Sequence, residues 1–248
     1  MGGGAYLAFT IAMFPAASAY RWFAPDALRL AGIAGTVWSG TAVLGSGPGL
    51  PMRDIHWDFR ALPLLLGRVS ASFEARLSDG FISAAATGWS NRLELSAVRV
   101  STNLAALNSI LNLGEARGLV SLSMDRLEIQ DGRPTTAVGN VRVSGLEVAA
   151  FSSTNVSSLI PLGSFEARFN DTGGQGIAGT ISDSGGPLEA SGTLTLALDG
   201  SYIVEVLARA RPDASEELLQ GMQLAENFGM ASEPDVEGRR LYTLTGSL

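Results

Sequence analysis

Cysteine and lysine are both absent from this 248-residue chain, histidine occurs once, at His56, and only 17% of residues are charged. Without cysteine there is no disulfide framework, no thiol nucleophile and no thiolate zinc site. A single imidazole leaves little material for metal ligation or general-base chemistry. The 17 cations are all arginines, outnumbered by 24 carboxylates, for a net charge of −7. Nucleic-acid binding needs clustered cations to neutralise phosphates, so that class is excluded. Glycine, by contrast, is abundant at 30 residues, well above the usual ~7% of a chain. The length allows a substantial core, and so much glycine with no lysine points to turns and strands rather than a helical bundle.

From Ala5 to Tyr20 no residue is charged, and Trp22, Phe23 and Ala24 continue the run past Arg21. Counted through Ala24, this is about the 20 residues a helix needs to cross a bilayer. Arg21 is able to snorkel, and Tyr20 and Trp22 are residue types favoured at membrane interfaces. Three readings are open: an uncleaved anchor, a signal peptide cleaved after Ala17-Ser18-Ala19, and a buried core helix. The expectation adopted is a transmembrane helix over residues 5–24, Pro15 being tolerated there. It gives a membrane anchor over 1–26 and a β-sheet domain over 27–248. Met1-Gly-Gly-Gly4 carries no side-chain charge, so charge bias does not orient the segment.

Beyond that run the dominant signal is alternation. Val69, Ala71, Phe73, Ala75 and Leu77 are apolar, while Arg68, Ser70, Ser72, Glu74 and Arg76 between them are polar. Successive side chains of a strand point to opposite faces, so this segment buries one face and wets the other. The pattern recurs at Leu93–Ala97, Val120–Met124, Val141–Val143 and Leu194–Leu198. Its parity slips at Ala97–Val98 and between Met124 and Leu127, where a β-bulge is expected to keep the apolar side inward. Turn signals punctuate the runs at Asp79-Gly80, Asp131-Gly132, Asp171-Thr-Gly-Gly174, Ser184-Gly-Gly186 and Asp199-Gly200. Short turns between successive strands imply an antiparallel meander.

Two helices are expected within it. Ser101-Thr-Asn103 precedes Leu104, Leu107, Ile110 and Leu111, with Gly114 as the stop. Pro212-Asp213-Ala-Ser-Glu216 resembles a capping box ahead of Leu218, Met222, Ala225 and Phe228, with Gly229 at the end. There is also an internal echo: Ser72-Phe-Glu-Ala-Arg-Leu-Ser-Asp79 returns as Ser164-Phe-Glu-Ala-Arg-Phe-Asn-Asp171. Both copies alternate and both lead into a turn, which suggests a repeated hairpin unit.

Several motifs invite a catalytic reading. Asp183-Ser-Gly-Gly-Pro-Leu188 looks like the nucleophile loop of trypsin-like serine proteases, with His56 ahead of Ser184 in the chain. A triad needs all three partners in geometry, and neither the His-Trp-Asp-Phe59 setting nor Ser182 in place of an oxyanion glycine fits. Asp171-Thr-Gly173 and Asp183-Ser-Gly185 look like aspartic-protease motifs, but they lie too close together for paired lobes and are explained by turn chemistry. Gly174-x-Gly176-x-x-Gly179 matches a dinucleotide pattern by letters only, because a strand-like stretch follows where a helix is required. Asn155-Val-Ser157 is a glycosylation sequon. No catalytic, cofactor-binding or metal-binding residue is assigned, and no cofactor is implied.

An ordered set of segments carries a family resemblance. It begins with Pro15-Ala16, Leu30-Ala-Gly-Ile-Ala-Gly-Thr-Val-Trp-Ser-Gly40 and Ile55-His-Trp57. Gly118-Leu-Val-Ser-Leu122, Gly139-Asn-Val141, Leu162-Gly163, Ser182–Leu188 and Gly192-Thr-Leu-Thr-Leu196 follow. Asp199-Gly-Ser-Tyr202 and Glu237-Gly-Arg-Arg-Leu-Tyr-Thr-Leu-Thr-Gly246 close it. Together these resemble the type II secretion system protein N family, with some likeness to the AsmA-like proteins. The resemblance implies an inner-membrane protein with a single crossing and its bulk in the periplasm. The expected fold is a transmembrane helix followed by a curved, mostly antiparallel β-sheet, an open groove or partial barrel, with two short covering helices. The expected role is a non-enzymatic accessory or assembly component whose partners are other inner-membrane parts of the secretion apparatus. The alternative is an AsmA-like lipid-binding or lipid-transfer module with an apolar groove.

Overall fold

The computed structural model describes residues 10, 13–23, 28–47, 50–111, 115–149, 159–170, 176–227 and 231–247. These residues are mainly β, antiparallel in pairing, with few helices. They fall into two compact units, Met1–Thr102 and Asn103–Leu248.

In the first unit, helix α1 (Ala16–Phe23) precedes β1 (Arg29–Ala31), β2 (Ala34–Gly35), β3 (Ser39–Gly47) and β4 (Leu50–Arg60). A 3₁₀ turn at Leu62–Leu66 then leads to β5 (Val69–Leu77), β6 (Gly80–Trp89) and β7 (Arg92–Asn103). The sheet order is β1-β3-β4-β5-β6-β7, with β2 also paired to β3. β5 follows the alternation in its sequence: Ala75 and Leu77 are buried, while Glu74 and Arg76 are exposed. Its turn to β6 is the expected tight hairpin, Leu77 pairing with Gly80. The core gathers Ala42, Ile55 and Ala75 from three neighbouring strands.

The second unit opens with α2 (Leu104–Leu111), then β8 (Ala116–Gln130), β9 (Arg133–Ala149), β10 (Leu159–Asn170) and β11 (Ile177–Asp183). It continues with β12 (Leu188–Leu196), β13 (Ser201–Ala210), α3 (Glu216–Asn227) and β14 (Arg240–Ser247), and its strands stand in sequence order. Asp131 and Gly132 both take positive φ, 52° and 78°, between the paired Gln130 and Arg133. That is the mirror-image two-residue turn that matches the strand twist. Leu104 at the start of α2 is buried with Ala116 and Val120 of β8.

Both expected bulges are present. The β6–β7 register shifts where Ala97 takes a φ of 50°, and the β8–β9 register shifts between Met124 and Arg126. A third lies in β4, where Asp54 has a φ of 48° and the pairing with β5 shifts between Arg53 and His56. Each inserts a residue so that apolar side chains of opposite parity share a face.

Two expectations need correction. The helix after Pro212 is capped by Ser215, whose Oγ accepts from the Leu218 amide at 3.3 Å, and not by Asp213. More consequentially, the transmembrane helix expected over residues 5–24 is not found: among the described residues no helix is long and apolar enough to cross a membrane. Residues 5–9, 11, 12 and 24 of that run lie outside the described residues; of the rest, the stretch 13–23 is tied to the first sheet. Pro15 forms a β-bridge with Thr36, and the Val37 amide donates to the Phe14 carbonyl at 3.0 Å. Proline has no amide to donate and a fixed φ, so it suits this extended bridge and the entry to a helix better than a helix interior. α1 therefore begins only at Ala16, which is buried, and runs eight residues. The Tyr20 hydroxyl then donates to the Leu28 carbonyl at 3.0 Å and accepts from the Leu30 amide at 2.9 Å, tying the helix to β1.

Candidate functional sites

His56 is exposed on β4, opposite Thr41 of β3 and Glu74 of β5. It borders a shallow hollow of about 440 Å³ that also takes in Asp58 and Ser72. Ser182–Leu188 runs from the end of β11 through the connection at 184–187 to the first residue of β12. Ser184 is exposed there and its amide donates to the Ser164 carbonyl at 2.7 Å. Asp183 organises the connection: its carboxylate accepts from the Arg211 guanidinium at 2.7 Å and from the amides of Gly185 and Ala190 at 3.1 and 3.3 Å. Burial alone pushes this carboxyl up, but the Arg211 guanidinium and the two amides outweigh it and hold the pKa below the usual range. A carboxylate saturated in this way orders a turn. Gly176 and Gly179 enter and lie within strand β11 rather than opening a helix. Asp171-Thr-Gly173, Gly174 and Asn155-Val-Ser157 lie outside the described residues.

One polar cluster was missed in sequence. Glu166 on β10 is buried, its side chain 8% exposed, beneath two arginines. Arg168 lies 3.1 Å away, Arg142 3.4 Å, and the Asn140 side-chain amide donates to its second oxygen at 3.2 Å. The hydrogen bond from Arg168, above all, keeps the Glu166 pKa low. Cross-strand register builds the cluster, since Arg142 and Asn140 of β9 stand opposite Glu166 and Arg168. Its signal in sequence was the Glu-Ala-Arg of the internal echo, which places Glu and Arg on the same face of a strand.

The apolar faces hold the larger surprise. In the first unit, α1 roofs a cavity of about 300 Å³ floored by Ile55, Trp57 and Phe59 of β4 and Phe73 of β5. In the second, α3 roofs a cavity of about 410 Å³ floored by β9 to β14. There Leu218, Gly221, Met222 and Ala225 face down from the helix, and Phe165 and Tyr242 line the floor. Phe73 and Phe165 are equivalent residues of the echoed octapeptide, so the repeat sets one aromatic ring into an apolar cavity in each unit. Their neighbours Glu74 and Glu166 point to the other face, as strand alternation requires.

The strand order and the segments quoted above raise a family question that comparison with known proteins answers. Residues 26–238 match the family described as type II secretion system (T2SS), protein N. The chain belongs to that family. No curated protein and no solved structure matched it. Membership places the protein in type II secretion and in association with other components of that system. The matched span begins inside neither cavity-roofing helix: it starts after α1 and covers all of α3.

Proposed function

We propose that this protein N family member is a non-enzymatic accessory or assembly component of the type II secretion system, working at the inner membrane with its bulk in the periplasm. The observation that carries the reading is the open edge of β14. This strand ends the sheet order, and past a single bridge from Ala231 to Tyr242 no described strand pairs with its outer side. Leu244, in the same stretch, is 60% exposed. An unpaired row of backbone amides and carbonyls is a template for another chain, and soluble proteins usually blunt such edges with charge or proline. Thr243-Leu-Thr-Gly-Ser247 carries neither. A component of the same apparatus that adds a strand there would satisfy the row and cover Leu244.

Membrane contact in this reading is interfacial at α1. Trp22 and Met13 are 69% and 57% exposed on a segment that Pro15 and Tyr20 fasten to the sheet, and exposed tryptophan suits the headgroup region.

A photo-crosslinking side chain at position 244, in cells carrying the secretion system, tests the docking edge. The expected adducts contain other secretion components and disappear when their genes are deleted. Adducts containing none of them would overturn the proposal.

A further inference from the structure

The end of the first unit that carries the Leu62–Leu66 turn differs in charge from the rest of the chain. Arg60 ends β4, Arg68 precedes β5 and Arg92 opens β7. No carboxylate occurs over 59–73 or 80–93, in a chain of net charge −7. Register brings the three arginines to one end of the sheet: Arg60 stands opposite Ser70, Val69 opposite Gly88, and Arg92 opposite Trp89. Among the described residues none of the three is ion-paired, whereas Arg142, Arg168, Arg211 and Arg240 each hold a carboxylate.

Trp89 positions two of them. The guanidinium carbon of Arg68 lies 5.2 Å from the indole centroid and that of Arg92 5.6 Å, both within cation–π reach. A stacked guanidinium keeps its N–H edge free, and that planar fork suits bidentate contact with phosphate oxygens. The indole therefore restricts two cations without supplying a counter-charge.

The turn between Arg60 and Arg68 is an apolar knuckle. Leu66 is 80% exposed, and Leu64 and Val69, close by in the chain, are exposed as well. Backbone closure holds it in this shape. The Gly67 amide donates to the Leu64 carbonyl and the Arg68 amide to the Pro63 carbonyl, each at 3.0 Å, and Gly67 takes the left-handed φ of 69° that the turn requires. Leu66 is thus presented to solvent by an ordered turn flanked on both sides by arginine.

We infer that this end of the first unit docks on the surface of a bilayer containing anionic phospholipid. Arg60, Arg68 and Arg92 meet the headgroup phosphates, and Leu66 enters the boundary with the acyl chains. A carboxylate-rich protein would satisfy the arginines, but a projecting leucine would need a matching socket in it; a bilayer receives one anywhere. Interfacial binding of this kind adds buried apolar area to attraction for anionic lipid, and salt screens the second part. Neither the β14 edge nor α1 takes part in this contact.

The full chain has no cysteine, so Ser90→Cys, in the turn between Trp89 and Arg92, can be labelled alone with an environment-sensitive nitrobenzoxadiazole dye. Vesicles of phosphatidylcholine with about 30% phosphatidylglycerol should shift its emission to the blue, less so in added salt, and pure phosphatidylcholine vesicles should not. The same dye at Ser78→Cys, past the other end of β5, should stay unshifted. The double variant Arg68→Gln, Arg92→Gln should raise the lipid needed for half-maximal shift about ten-fold or more. Leu66→Ser should raise it about ten-fold with an unchanged melting temperature, since that side chain is almost wholly in solvent. Trp22→Ser, which alters α1, should leave the shift at position 90 in place. Absence of a shift, equal shifts on both vesicle types, an equal shift at position 78, or binding unchanged in both the double arginine variant and Leu66→Ser would each overturn the proposal. Binding lost in Trp22→Ser but kept in those variants would overturn it too, and would leave α1 as the membrane contact.

Discussion

Single residues carry two opposed kinds of polar burial in this protein. Asp183 is fully used, tying the β11–β12 connection to Arg211 of the segment after β13. Its replacement by Asn keeps the shape but removes charge-assisted bonds of about 1.5–3 kcal/mol each, so Asp183→Asn should lower the melting temperature clearly while Ser184→Ala leaves it unchanged. Because the folded-state pKa of Asp183 lies below the unfolded value, its contribution is complete at neutral pH. It is lost as pH falls below about 3.9 and on through the folded value. Denaturant titrations of wild type across pH 7 to 3 should show that acid loss, and Asp183→Asn should show less of it. Thr102 is the opposite case: it is fully buried and its hydroxyl has no partner among the described residues. Replacing such a group with an apolar one of the same shape removes a penalty of roughly 1–3 kcal/mol, so Thr102→Val should hold or raise the melting temperature.

Elements show how much the sequence reveals when physical constraints are local. Ala97 sits in the left-handed region because a bulge is needed to return Val98 to the core side. A side chain there costs about 1–2 kcal/mol, so Ala97→Gly should stabilise the protein and Ala97→Val destabilise it, as read by urea midpoints. This bulge and the one after Met124 were legible as slips in a two-residue rhythm, as were the Asp79-Gly80 and Asp131-Gly132 hairpins. The same signature stands at Met52 and Ile55, three residues apart and both packed inward around Asp54. The cavities were not legible, because their walls come from strands far apart in the chain and only register brings them together. Tyr242 in Leu-Tyr-Thr-Leu-Thr245 reads as an ordinary half-buried strand residue. In the N-terminal run hydropathy counts length alone, while the pairing of Pro15 with Thr36, which interrupts a continuous helix there, is a tertiary fact. α3 offers a direct check on packing. Leu218 is 4% exposed, and its truncation to Ala should cost about 2–5 kcal/mol, seen first as faster hydrogen exchange across 216–227.

At the scale of the whole molecule, the chain spends its glycines and alternating runs on two antiparallel sheet units and belongs to the type II secretion protein N family. Among the described residues, the hydrolase-like motifs fall at turn and strand positions: Ser184 in a connection, His56 on an exposed strand face. In the proposed role, surfaces act in place of reactive groups. Secretion by a deletion strain complemented with variants measures that claim most directly. The doubly substituted His56→Ala, Ser184→Ala protein should restore secretion to the wild-type level, whereas Leu244→Asp, at an exposed position that the fold tolerates, should not. Loss of secretion in the double variant with full secretion by Leu244→Asp would contradict the account.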